Sequence, residues 1–96
     1  MSKVIWLPQA LNDADRLFLF LKDKSLTSAN KAAKTFKKAS EILSMFPEIG
    51  QPMNDGTERR ELFIPFGRYG YILRYVVRGE QVLIIRAKHS KENPDT

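Results

Sequence analysis

The capacity of this chain for chemistry rests on basic and aromatic side chains. Arg59, Arg60, Arg68, Arg74, Arg86 and Lys88 crowd its second half, together with Tyr69, Tyr71, Tyr75 and the single histidine, His89. Arginine forks match phosphate oxygens, tyrosine rings stack on bases, and histidine moves a proton near neutral pH. These types together suit cleavage of RNA by its own 2′-hydroxyl. That reaction needs charge stabilisation at the phosphate, an acid for the leaving oxygen and a base. One histidine is too few for a multi-histidine metal centre, and there is no cysteine to ligate zinc, attack as a thiolate or close a disulfide. No serine sits in a Gly-x-Ser-x-Gly turn, and the PFGRYG stretch lacks the strand–loop–helix setting of a phosphate-cradling loop. No cofactor and no metal are expected. Each residue also has a plainer reading: Arg74 and Arg86 as strand residues reaching an edge, the tyrosines as strand packing, His89 as an exposed strand end, and Arg59 and Arg60 as local partners of Glu61.

The elements that must position these residues can be read from period and punctuation. Lys3 to Leu7 is β-branched and aromatic, stops at Pro8 and predicts a strand. Pro8 suits the first turn of a helix, and Leu11, Ala14, Leu17, Phe18 and Leu21 recur at helical spacing as far as Lys22. Asn12, Asp13, Asp15 and Arg16 fall on the other side. After a polar break at residues 25–28, with Thr27 or Ser28 as cap, Ala29, Ala32, Ala33, Phe36, Ala39, Leu43 and Phe46 mark a second helix, ended by Pro47. Lys31, Lys34, Lys37 and Lys38 read as its solvated face. Residues 47–58 read as a loop. Residues 60–64, 69–77 and 81–88 then read as strands.

The order β-α-α-β-β-β predicts an α+β domain, with a helix hairpin packed on one face of a mainly antiparallel four-stranded sheet. The first strand needs a partner, and the sheet edge is the available one. A two-residue turn at Gly79-Glu80 sets Tyr75 opposite Ile84 and Leu73 opposite Arg86. One face then carries Tyr71, Leu73, Tyr75, Val77, Val82, Ile84 and Arg86, and the other Ile72, Arg74, Val76, Leu83, Ile85, Ala87 and His89. Arg74 and Arg86 fall on opposite faces and so do not line one cleft. Either face is apolar enough to be the core face, and the pattern does not choose between them. Residues 1–89 form one domain, with 90–96 as a polar tail.

The charge points to a partner. Sixteen Lys plus Arg against eleven Asp plus Glu give +5 over 96 residues, which favours nucleic acid or an acidic protein segment. With 43% hydrophobic and 28% charged residues the chain is too apolar for disorder. No apolar run is long enough to span a membrane and no signal-peptide core is visible, so a cytoplasmic protein is expected, with no membrane partner.

Three stretches resemble a known pattern. VIWLPQALNDADRLFLFL is similar to the first strand and helix of RelE/ParE toxins, and FPEIGQP to their loop after the second helix. RRELFIPFGRYGYILRYVVRGEQVLIIRAKHSKE resembles the sheet of a ParE-like branch. The likeness covers nearly the whole chain. It implies a toxin of a type II toxin–antitoxin (plasmid stabilisation) module. A cognate antitoxin would hold it inactive, and a toxin–antitoxin hetero-oligomer is the expected form. The resemblance offers two targets: DNA gyrase for the ParE-like branch, and mRNA in the ribosomal A site for the RelE-like endonucleases. Those nucleases often place an arginine just after the aromatic of their third strand. Here that position is Ile72, with Arg74 two residues later as a possible substitute. Under the nuclease reading Arg60, Arg86 and His89 are the catalytic candidates, while Arg59, Arg68, Tyr71, Arg74 and Lys88 are candidates for binding. Replacing Arg60 or Arg86 is expected to remove toxicity at little cost in stability.

Overall fold

The structure, a computed structural model, describes residues 1–91. Its elements are β1 (Lys3–Trp6), α1 (Pro8–Lys22), α2 (Leu26–Met45), β2 (Gln51–Pro52), β3 (Arg60–Phe66), β4 (Tyr69–Arg78) and β5 (Gln81–His89). They form one five-stranded sheet in the order β1-β5-β4-β3-β2, antiparallel except for β1, which runs parallel to β5 at one edge. The additional strand is the two-residue β2, read from sequence as loop, which pairs Gln51 with Glu61 and Pro52 with Arg60.

Local chemistry explains the helix limits. Pro8 occupies the first turn of α1, where its missing N–H leaves nothing unsatisfied, and Leu7 before it offers no side-chain cap. The cap of α2 is Ser25 rather than Thr27 or Ser28: its hydroxyl accepts from the Ser28 N–H at 3.2 Å. The two helices cover one face of the sheet. Ala10, Leu17, Ala32, Phe36, Ala39 and Leu43 meet Tyr71, Leu73, Tyr75, Val82, Ile84 and Ala87 in a single core. Each fully buried large side chain there contributes about 1.5–3 kcal/mol. The second helix also carries the first strand. Trp6 Nε1 donates to Ser40 Oγ at 2.8 Å, and Ser2 and Ser44 exchange two hydrogen bonds. Leu11 and Ala33, read as core from their spacing, are exposed instead.

The face carrying Tyr71, Leu73 and Tyr75 is therefore the core face, but the predicted register holds only near the turn. Gly79 adopts φ 59°, the left-handed conformation that glycine enters without strain, and Arg78 pairs with Gln81, Val76 with Leu83 and Tyr75 with Ile84. Between Arg74 and Tyr75 the ladder shifts. Ile85 is an extra residue, and beyond it Arg74 pairs with Arg86, Leu73 with Ala87 and Tyr71 with His89. This β-bulge corrects two expectations. Leu73 faces Ala87 rather than Arg86, and Arg74 and Arg86 are register partners rather than residues of opposite faces. The same shift brings Ala87 and His89, expected opposite the tyrosines, onto the Tyr71 side.

Candidate functional site

The bulge creates the site. β1 pairs with β5 only as far as Ile84, so the last residues of β5 run on with β4 on one side and no strand on the other. Helix α1 supplies the missing partner through Asp13. Its Oδ2 accepts from the Ala87 N–H at 2.9 Å and from Arg86 Nε at 2.8 Å, while its Oδ1 accepts from Arg86 Nη2 at 3.2 Å. Asp13, expected on the solvated side of α1, is 3% exposed. Burial pushes its carboxyl up, but the hydrogen bonds from Arg86 and Ala87 and the guanidinium charge outweigh that and hold it below the ordinary carboxylate value. Its place on the buried stripe was readable: it stands three residues after Ala10 and four before Leu17, both buried.

Next to this clasp lies an apolar cleft of about 510 Å³, lined by Arg16, Leu17, Phe20 and Leu21 of α1 with Phe66, Tyr71 and His89 of the sheet. Tyr71 is buried, and desolvation raises its phenol above the usual value. The His89 ring stands edge-on to Tyr71 and Tyr69, with centroids 5.7 and 5.6 Å away. His89 Nδ1 accepts from the Lys91 N–H at 3.1 Å, which leaves Nε2 to carry the proton of the neutral ring. The cleft thus offers an apolar wall, an imidazole and one guanidinium, enough to seat a flat or aliphatic group bearing a negative charge. Sequence reasoning found Tyr71 and His89 but missed the α1 wall and Arg16. The segment read as a tail begins firmly. Ser90 N donates to Gly70 O at 2.8 Å, and residues 92–96 lie outside the described residues.

The other candidates are scattered. Arg74 forks onto Glu61 Oε2 at 3.0 and 3.1 Å, across from it on β3. Arg60 Nη1 donates to the carbonyls of Gly50 (2.8 Å) and Glu48 (3.1 Å), so it holds the loop before β2. Arg60 lies opposite Tyr75 and His89 opposite Tyr71, four residues along β4, roughly 13 Å at the rise of a strand. The two are not one constellation. Arg59 pairs with Asp55 at 3.1 Å, Arg68 stands exposed in the β3–β4 turn, and Lys88 is 8% exposed opposite Ile72. No cluster of metal-ligating side chains occurs among the described residues.

Residues 4–94 match the family described as ParE toxin of type II toxin-antitoxin system, parDE. The chain belongs to the ParE toxin family. Among relatives of this toxin, Toxin RelE3 of Caulobacter vibrioides is 31% identical over 92 residues, covering 96% of this chain and 98% of the relative. Toxin RelE1 of the same organism is 30% identical over 84 residues, 88% of each chain. A solved structure titled as the chromosomal ParDE TA system from P. aeruginosa superposes with a TM-score of 0.72 at 18% identity, covering 93% of this chain and 96% of that one, and so shares the fold. The toxin is thus the expected α+β domain, with one more strand than its sequence announced. As a member of a type II toxin–antitoxin system it has a cognate antitoxin as partner.

Proposed function

We propose that this toxin inhibits growth by binding and poisoning DNA gyrase, not by cutting RNA. The observation that carries the reading is the engagement of its arginines. Arg74 is held by Glu61, Arg86 by Asp13, and Arg60 by two loop carbonyls well away from His89. A nuclease needs such donors aimed at the phosphate where charge develops, and losing one costs about 100-fold or more in rate. Ile72, at the position where the nucleases tend to place an arginine, cannot supply that charge. A surface that works by protein contact needs no such group. Both gyrase and ribosome would put the toxin in the cytoplasm. Among the described residues no helix is long and apolar enough to cross a membrane.

The antitoxin has a seat of its own. A groove of about 270 Å³ runs between α1 and α2, with Trp6, Leu11, Ala14, Phe18 and Phe36 along it, and Leu11 is half exposed. That is the shape and chemistry for the apolar face of a helix that folds on binding, giving a toxin–antitoxin hetero-oligomer.

A second reading has an observation in its favour. His89, Tyr71 and Arg16 do share one cleft, and an imidazole beside a guanidinium is a usable pair for 2′-hydroxyl attack. Two assays on purified toxin separate the readings: supercoiling by gyrase, and cleavage of mRNA on programmed ribosomes. Inhibited supercoiling with intact mRNA is the expected result. Codon-dependent cuts in the A site, lost in His89→Ala, would replace gyrase with the ribosome.

A further inference from the structure

Most of the basic face of α2 lies outside the site and the antitoxin groove, which takes in only Lys37 of its four lysines. Lys31, Lys34, Lys37 and Lys38 are all exposed, and among the described residues none of their ammonium groups is held by a carboxylate. The one acid of α2, Glu41, is exposed and pairs with none of them. Lys31, Lys34 and Lys38 recur at helical spacing and form a ridge about 10 Å long. On that flank a shallow groove of about 480 Å³ opens between α2 and the β3–β4 turn, bordered by Ser28, Lys31, Lys34, Thr35, Phe66 and Gly67. Exposed Arg68 follows Gly67 directly. The Thr35 hydroxyl already donates to Lys31 O at 2.9 Å, so Ser28 is the hydroxyl donor of the groove.

We infer that this ridge and groove bind the phosphodiester backbone of a nucleic acid, as a contact made by the toxin itself. Lysine ammonium groups and hydroxyls are what phosphate oxygens take, without regard to base sequence. A ridge of about 10 Å spans some three phosphates at 3.4 Å of axial rise each. An acidic peptide is the weaker fit. A segment that folds on binding needs several apolar anchors, and the larger set lies on the opposite flank of α2, in the groove with Trp6, Phe18 and Phe36, against Pro65 and Phe66 here. The inference does not depend on which target the toxin has.

The test is fluorescence anisotropy with the full chain, freed of antitoxin, across a salt series. The probes are a short duplex DNA, a hairpin RNA and a polyglutamate peptide of matched charge. The variant is Lys31→Gln, Lys34→Gln, Lys38→Gln. The control, Lys3→Gln, Lys22→Gln, Lys24→Gln, loses the same charge elsewhere. Wild type should bind duplex DNA or RNA, and the two arms say which. In the ridge variant the slope of log K against log salt should fall by about 2–3 for DNA, near 0.9 per lost contact, while the control keeps its slope. Equal losses in ridge variant and control would reduce the effect to net charge and overturn the site. So would absence of binding to either nucleic acid, or tighter binding of polyglutamate through the same lysines.

Discussion

Two clamps hold distant segments onto this sheet, and they use different chemistry. At one end Asp13 ties α1 to the far end of β5 through a buried carboxylate, one guanidinium and one backbone N–H. At the other, Tyr75 Oη accepts from the Gly50 N–H at 2.8 Å, and Arg60 reaches past it to two carbonyls of the same loop. The first clamp buries an ionised acid, the second a neutral phenol. Both are complete, since among the described residues no buried side-chain polar atom lacks a partner. The difference teaches where pH can act. A charged clamp makes stability depend on protonation. A neutral one fixes the chain equally well from mild acid to mild base.

The largest expected effect comes from breaking the charged clamp. Asp13→Ala strands the Ala87 N–H and leaves Arg86 without its main partner. Because Arg86 is a third exposed, the loss should be about 2–4 kcal/mol at neutral pH, below the worst cases for buried pairs. Urea melts of the variant with its antitoxin removed would measure it, and a loss under ~1 kcal/mol would mean the pair is solvated. The pH dependence has a definite sign. The folded Asp13 value lies below the unfolded one, so its stabilisation is present above about pH 4 and is lost as pH falls through the folded value. The gap between wild type and Asp13→Asn should therefore narrow in acid.

Breaking the neutral clamp should cost less. Tyr75→Phe leaves the buried Gly50 N–H unpaired, for about 1–3 kcal/mol. Burial raises the Tyr75 phenol, so its contribution is present throughout the range below its unfolded value near 10 and is lost only at higher pH. The difference between Tyr75→Phe and wild type should stay flat as pH falls below about 4, where that of Asp13→Asn narrows. Gly50→Ala attacks the same contact sterically: a Cβ there would lie 2.7 Å from Tyr75 Oη and 2.9 Å from Glu61 O. It should destabilise by about 1–3 kcal/mol, seen as a lower thermal midpoint.

The smallest effects belong to the arginines. Arg60→Ala should lower stability by about 0.5–1.5 kcal/mol and speed amide exchange around Gly50, because the loop loses its tether. Arg74→Ala breaks a partly exposed pair on the uncovered face and should cost under ~1 kcal/mol. The sequence-based expectation that Arg60 and Arg86 could be removed at little cost treated them as surface groups. Their partners, a loop carbonyl ten residues away and a helix carboxylate on the far side of the chain, leave no mark in local pattern.

The same distinction separates what was legible from what was not. Helix α1 was read to its observed ends because Pro8 and the apolar spacing are local signals, and β3, β4 and β5 were read to within two residues for the same reason. The core face was not legible. The uncovered face carries Ile72, Val76, Leu83 and Ile85, so alternation alone could not say which side met the helices. The bulge was not legible either. Ile85 is an ordinary strand residue with no glycine or proline beside it, yet its extra place in the ladder decides that Ala87 and His89 share a face with Tyr71. The cleft needs that shift and also α1 packed above it, and both are products of tertiary pairing.

The parallel pairing of β1 with β5 carries one more consequence. Val4 meets Val82, so the first strand made during synthesis waits for the last. Until β5 has been made, Trp6 and Val4 have no ladder to join and the sheet has no closed edge on that side. The long loop that must close makes this contact entropically costly and therefore late. A ribosome that stalls before residue 81 holds a toxin without its Asp13–Arg86 clasp or its cleft. The first strand is thus placed by the last, and that edge of the sheet closes only after β5 has left the ribosome.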